Sequence, residues 1–465
     1  MKRRFRSVAA SVLAFTGLVI ALILMAVSSN STALALNAGS QASESLPPGG
    51  SGVAHLIVRY ADDDAIVRGI TFTEPISVYM ALLKTDLPLT FADTSFGIQL
   101  CGIGPVGAAA PDHSACDNAD RYWATYEWTG SSWSGRVVGI SDALITATGH
   151  AEGFSWSDPG WSSVDPPAAP APAAAWGALE WLRTQQQSDG GYGSAGASAD
   201  VLLAIGSNRM DATAWQSDEG RSLIGNVLAT GASLSRSGAA GAGKLAVALA
   251  AHESCWPAAA RTPMDYYSPT TGAFDSGAGP HAWAMLGVAA LSQTVPATAT
   301  SYLKELQQPN GGWEWFPGWG SDTNSTALAI QALASANQPL TSTTIISALA
   351  FLDTAQNSDG GFPYDPNSPW DTSSDVNSTA NVVQALIATG QDPLSSRWTI
   401  SSATPVSYLL GMQLSDGSLE WQPGLGSDTM ATAQAVPALL GRPFPYRPVE
   451  LNACRVAYLP LVARP

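Results

Sequence analysis

Five short glycine-bearing turns in the second half of the chain constrain its fold more than any other feature. They lie at residues 187–192 (QSDGGY), 271–274 (TGAF), 309–313 (PNGGW), 357–362 (NSDGGF) and 414–419 (LSDGSL). Their spacing is about 40–57 residues, the range of repeat architectures, except for one double gap, with a degenerate turn, 235–243 (SRSGAAGAG), near its middle. Helical patterns precede the turns at 176–187, 297–308, 344–356 and 405–413, and follow them at 279–293, 321–336, 374–389 and 427–440. Glycine supplies the positive φ that ends one helix sharply, and Ser or Asp then caps the next. The helices after the turns are almost free of charge on all sides, which predicts burial as an inner ring. About six such hairpins closing on themselves give an α/α toroid over residues 175–442.

The remaining segments bound the setting. Lys2, Arg3, Arg4 and Arg6 precede an apolar run from 8 to 27, and Ala33-Leu34-Ala35 offers a cleavage site. Residues 1–36 therefore read as a signal peptide or an N-terminal anchor, with the rest secreted or at the cell surface. Membrane contact is expected only through that segment. Residues 37–52 form a Ser/Gly/Pro-rich spacer. Without residues 1–35 the chain carries 17 basic and 37 acidic residues, a balance that argues against nucleic acid or anionic lipid as partner. In an exported chain four cysteines predict two disulfides, Cys101 with Cys116 and Cys255 with Cys454 being the natural pairs, although the other connectivities stay open. No cysteine spacing resembles a zinc site.

Order is expected from residue 53. Residues 55–60 (HLIVRY) and 66–72 read as a strand hairpin, 75–83 (PISVYMALL) has helical spacing, and 96–102 and 122–128 read as further strands. The run 121–128 (RYWATYEW), a Gly130-Ser131 turn, Gly139-Ile140-Ser141 and the late Gly153-Phe154-Ser155-Trp156 resemble the small β-rich domain of transcobalamin-like proteins over residues 53–157. A Pro/Ala linker follows at 158–174. The turns, with Gln before and an aromatic after the glycine, resemble the repeats of the prenyltransferase and squalene-cyclase superfamily. The expected fold is thus multidomain, α and β: a small β-rich domain, then the toroid, then a tail at 443–465, within which 455–462 (RVAYLPLV) is a final strand or a surface-attachment signal.

That superfamily resemblance raises a specific chemistry. Its class II cyclases protonate a polyene with the central acid of a D-x-D-D motif, but the matching tetrads here are Asp322-Thr323-Asn324-Ser325 and Asp375-Val376-Asn377-Ser378. Asn cannot donate the proton, so a terpenoid cyclase is the disfavoured reading. No D-D-x-x-D cluster occurs in the repeats, and His252 with Cys255 lacks the partners of a prenyltransferase zinc site.

A ring of uncharged polar groups and aromatics remains, from which no catalytic residue or metal ligand is expected. The candidate ligand-binding residues are His281, Trp283, Trp315, Asp322, Asn324, Gln331, Tyr364, Trp370, Asp375, Asn377, Gln384, Trp421 and Asp428. The acids taken singly fit helix N-caps, whereas buried amides demand partners where Leu would pack freely. A transcobalamin-like arrangement implies cobalamin or another corrinoid held between the two domains, with His281 as any cobalt ligand. The β-domain comes first here, and the linker must carry it over the mouth of the toroid. The expectation is a non-enzymatic exported binding protein; the alternative is a surface protein that binds glycans or peptides.

Overall fold

Apolar residues run with few breaks along the first two strands, and both faces of the resulting sheet are buried. The computed structural model describes residues 44–45, 50–61, 64–107, 115–116, 121–157 and 164–454. The N-terminal segment, most of the spacer, Asp62-Asp63 and the tail beyond 454 lie outside the described residues. Strand β1 (Gly52–Ala61) pairs antiparallel with β2 (Asp64–Phe72). A small second sheet follows, of β3 (Leu89–Thr94), β4 (Gly97–Ile103) and β5 (Val106–Gly107). Then come β6 (Tyr122–Trp128), β7 (Trp133–Gly135) and β8 (Ala151–Ser157). The main sheet runs β2-β1-β8-β6-β7, with β8 parallel to β1. Leu56, Val58, Ile66 and Phe154 face a core of their own, while Ile57 and Val67 join the core of the helices. Side chains alternate between faces along a strand, so a sheet buried on both sides needs this near-continuous apolar run.

The helix expected at 75–83 shrinks to α1 (Val78–Leu82). Ser77 caps it by accepting the Met80 amide, which leaves Ile76 and Ser77 to pair as a strand with 144–145. The expected linker is shorter as well. Helix α2 (Pro170–Thr184) opens inside it, with Pro170 in the first turn, where a missing N–H costs nothing.

Six inner helices follow: α3 (Ala195–Ser207), α5 (Ala239–Ala250), α6 (Ala278–Ala290), α8 (Thr323–Ser335), α10 (Val376–Ala388) and α12 (Thr429–Leu439). Each packs on the next, and α12 packs on α3. Outside them lie α2, α4 (Leu223–Arg236), α7 (Ala297–Glu305), α9 (Thr343–Ala355) and α11 (Pro405–Gly411). Six full hairpins were expected, but one outer helix is missing. Between α5 and α6 the outer position is filled by a single 3₁₀ turn, Pro263–Tyr266. Pro257, Pro263 and Pro269 deny that stretch a continuous helix.

The turn signature is explained by hydrogen bonds. In four turns a Gln amide donates to the glycine carbonyl of its own turn and to a carbonyl of the next unit. Gln186 reaches Trp215 O, Gln307 reaches Thr344 O, Gln356 reaches Trp398 O and Gln413 reaches Ala174 O. The last of these ties the final unit to the first helix, closing the ring. The residue two places after the first glycine of each turn is pinned to the inner helix. Tyr192, Phe274, Trp313, Phe362 and Leu419 donate their backbone N–H to Ser198, His281, Thr326, Thr379 and Thr432.

One end of the ring is sealed. After α12 the chain runs across the C-terminal ends of the inner helices. Arg442 O accepts from Gln384, Phe444 N donates to Gln331 and Val449 N donates to Ala290 O. Cys454 is bonded to Cys255 at the far side of this strap, and Cys101 to Cys116 in the β-rich part. Residues 443–454, expected to belong to a tail, are therefore the floor of the ring. The β-rich part packs at this same end. Val67 and the Asn208 side chain exchange two hydrogen bonds of 2.8 and 3.0 Å, and Asp64 pairs with Arg209 and Arg442.

Candidate functional site

The inner helices leave a blind cavity of about 410 Å³ that opens at their N-terminal ends. Its upper wall comes from the turns. Trp315, Tyr364 and Trp421 each stand two residues beyond the pinned residue of their turn and line the cavity. They are set over the neighbouring inner helix, since Thr323 N donates to Tyr364 O at 2.9 Å and Val376 N to Trp421 O at 3.0 Å. Trp283 adds a face from α6, and Phe444, whose ring centroid lies 5.5 Å from that of Trp283, rises from the floor. Five aromatic rings thus surround a space with few charges.

Asp375 is the carboxylate at the cavity's upper rim, 2% exposed and N-cap of α10. Ser378 N lies 2.8 Å from Oδ1 and Ser378 Oγ 2.7 Å from Oδ2, and the Trp421 side chain also hydrogen-bonds to it. Burial raises its pKa above the ordinary carboxylate value, against the lowering by these donors. The two effects suit an acid: burial favours the protonated form, while the donors stand ready for the carboxylate left after proton release.

Asp322 repeats this geometry one unit earlier, with Ser325 N at 2.6 Å and Ser325 Oγ at 2.7 Å. Burial raises its pKa to about 6. It does not line the cavity; Tyr364 lies between, hydrogen-bonded to it, and burial together with that carboxylate raises the phenol to about 12.

Of the other expected residues, Asn324, Asn377 and Gln384 reach the cavity. Asn377 Nδ2 donates to Gln434 Oε1 at 2.8 Å, and Asn381 Nδ2 to Asn377 O at 2.9 Å, forming an amide row along α10 and α12. Gln331 and Gln384 answer to the floor: their partners are Phe444 N and Arg442 O. Besides Asp322 and Gln331, which do not line the cavity, three expectations are corrected. His281 has both ring nitrogens engaged, with Phe274 N at 3.1 Å and Ala299 O at 2.9 Å, and burial lowers its pKa to about 4. It is the turn-pinning residue of its unit and has no nitrogen left for a metal. Trp370 is 93% exposed on the loop before α10, away from the cavity. Asp428 caps α12 through Ala431 N and is not on the wall.

Lys244, Asn381 and Phe444 line the cavity without having been expected there. Lys244 sits in the unit whose turn is degenerate, and Phe444 lies beyond the last repeat, so comparison between repeats overlooks both. Its signal was available: Lys244 is the only Lys or Arg in the six inner helices.

Residues 272–428 match the squalene-hopene cyclase C-terminal domain. No curated protein matches the chain. Among solved structures, the type II terpene cyclase MstE from Scytonema is similar at 16% identity, over 58% of this chain and 98% of that one, with a TM-score of 0.40. The ent-copalyl diphosphate synthase from Streptomyces platensis is similar at 17% identity, over 53% of this chain and 50% of that one, with a TM-score of 0.35. The Candida albicans protein geranylgeranyltransferase-I is similar at 19% identity, over 35% and 48%, with a TM-score of 0.29. The family match supports the repeat half of the resemblance seen in the sequence and not its transcobalamin half. It overturns the expectation of a non-enzymatic binding protein, for the matched domain is that of a cyclase. Geometry agrees on one point: the β-rich part packs at the sealed end of the ring, so a ligand in the cavity is not enclosed between the two parts.

Proposed function

We propose that the chain is an acid-initiated isoprenoid cyclase, with Asp375 as the proton donor. The observation that carries this reading is a buried carboxyl of raised pKa on the wall of an aromatic cavity. Asp375 gives its proton to one carbon of a trisubstituted alkene; the π electrons form the new C–H bond and leave a tertiary cation. A second alkene of the same chain attacks that cation. A proton next to the final cation is then lost to water at the open mouth, forming the last alkene, and the Asp375 carboxylate takes its next proton from solvent. The faces of Trp283, Trp315, Tyr364, Trp421 and Phe444 offer the cation negative quadrupoles without a nucleophile to trap it. The match of residues 272–428 to a cyclase domain supports the same reaction class.

The acid then occupies the first place of the Asp375-Val376-Asn377-Ser378 tetrad rather than the third. Asn377 is bound to Gln434 and holds the neighbouring wall, while Ser378 takes over the support of the acid. The chain acts outside the cytoplasm in this reading, consistent with its basic and apolar N-terminus.

The test is incubation of the full chain with linear isoprenoids of increasing length in deuterated buffer, followed by mass spectrometry. The expected product is an isomer of its substrate in which one hydrogen is replaced by deuterium, and Asp375→Asn abolishes it. A folded protein that gives no such product from any chain between ten and thirty carbons refutes the proposal.

A further inference from the structure

One ion pair stands in an otherwise uncharged bore. Lys244 Nζ is 2.7 Å from both oxygens of Asp200, and both side chains line the cavity. Their side chains are 19% and 7% exposed. Lys244 is the sixth residue of α5 and Asp200 the sixth of α3, which places the pair roughly 9 Å below the helix starts at 1.5 Å per residue. In the cyclic order of the inner helices, two helices separate α5 from α10 in either direction. Lys244 therefore faces Asp375 from the opposite wall, at greater depth.

Such a pair is a poor way to join two helices. Desolvating both charges offsets most of their attraction, and apolar residues of similar volume serve as well or better. The chemistry it presents to the cavity is specific. An ammonium has three donors; two point to the Asp200 oxygens, and Trp283, whose ring centroid is 5.7 Å from Nζ, bounds the space beside the third. One donor is thus available to a guest, held by a cation whose charge is already balanced. A diphosphate does not fit this arrangement. It brings about three negative charges to a wall whose one cation is already balanced by Asp200, and like charges held close together in a partly polar interior repel.

We infer that the substrate is an oxygenated, unphosphorylated isoprenoid whose hydroxyl or carbonyl oxygen accepts from Lys244. This rests on the reading of the cavity as an isoprenoid site; within that reading it sets the substrate class and the direction of entry. The oxygen goes in first and deep, and the alkene to be protonated stays near the rim at Asp375.

The test is binding, read from quenching of cavity tryptophan fluorescence, in the full-length wild type and in Asp375→Asn, where turnover is blocked. The probes are farnesol, the hydrocarbon farnesene, farnesoic acid and farnesyl diphosphate. Farnesol is expected to bind about 5–10-fold more tightly than farnesene, and the acid and the diphosphate no more tightly than farnesene. The double variant Asp200→Asn/Lys244→Met removes both charges without leaving one buried alone. It should lower farnesol affinity to that of farnesene while farnesene affinity holds, which also shows that the variant is folded. Equal binding of farnesol and farnesene by the wild type overturns the inference, as does an unchanged ratio in the double variant or tightest binding of the acid or the diphosphate. Binding of none of the four refutes the isoprenoid reading itself, and the expected binding pattern without turnover refutes the cyclase reading while leaving this inference standing.

Discussion

Both oxygens of Asp375 are held by one residue, Ser378, through its backbone N–H at 2.8 Å and its hydroxyl at 2.7 Å. An Asn side chain keeps one of these bonds, since its oxygen caps a helix as well as a carboxylate does. Asp375→Asn should therefore change stability by no more than about 1 kcal/mol while removing deuterium incorporation altogether. Urea unfolding and mass spectrometry on the same preparation check the two halves separately.

Asp322 makes stability fall as pH rises. Its folded pKa, about 6, lies above the ordinary 3.8, so between those values the folded protein binds more protons than the unfolded one. Its favourable contribution is complete below about pH 4 and is lost as pH passes through 6. Two units correspond to about 3 kcal/mol. Asp322→Asn, which still caps the helix, should therefore gain on the wild type between pH 4.5 and pH 8, as urea midpoints at the two pH values will show.

Gln413 closes the ring with one amide, which donates to Ala174 O at 2.8 Å and Gly417 O at 2.9 Å. Gln413→Ala should cost about 1–3 kcal/mol, because it leaves two half-buried carbonyls without this donor. Hydrogen exchange should show α2 and α12 losing protection first, since they meet at that seam.

Helices α5 and α6 approach so closely that a Cβ on Gly243 would lie 2.1 Å from Trp283 O, a backbone atom that cannot yield alone. Gly243→Ala must push the two helices apart. We expect a loss of about 2–4 kcal/mol, a large effect for one methyl group, measurable as a fall in melting temperature. Opposite it, a Cβ on Gly287 would lie 2.6 Å from the Gly243 Cα, so Gly287→Ala should behave alike.

Phe444 is 8% exposed and supplies the floor of the cavity. Truncation to Ala should cost about 3 kcal/mol, as for other buried rings, and deepen the cavity. The fluorescence of Trp283 should shift to the red as water reaches it, and longer guests should bind relatively better.

What the sequence revealed is what local chemistry dictates. Asp189, Asp359 and Asp416 each accept the N–H two residues on, and the neighbouring Gln amides fold onto their own turns, so a short window carries the whole signature. The inner helices were legible because no charged face could be solvated. The β-strands were legible as short runs of β-branched and aromatic residues bounded by turns. His281 misled because its ring does for Phe274 what a threonine hydroxyl does for Trp313, Phe362 and Leu419, and sequence alone does not separate a ligand from a hydrogen-bond acceptor. The docking of the sheet was illegible for another reason. It depends on Val67 and Asn208, 141 residues apart, whose bonds leave no periodic trace. Asp375 was visible but judged by its motif; its burial and its bond to Trp421 appear only when the turn carrying Trp421 folds over it.

A closed ring of repeats is a pipe, open at both ends. This one is a cup because a strap that is no part of the repeats, from Gly441 to Cys454, crosses one end and is bonded to Cys255. Bore and depth are therefore written in different parts of the chain. The helices fix how wide a guest can be, and the residues around Phe444 fix how long. Changes confined to the strap would retune guest length while leaving the acid, the aromatic walls and the ring seam as they are.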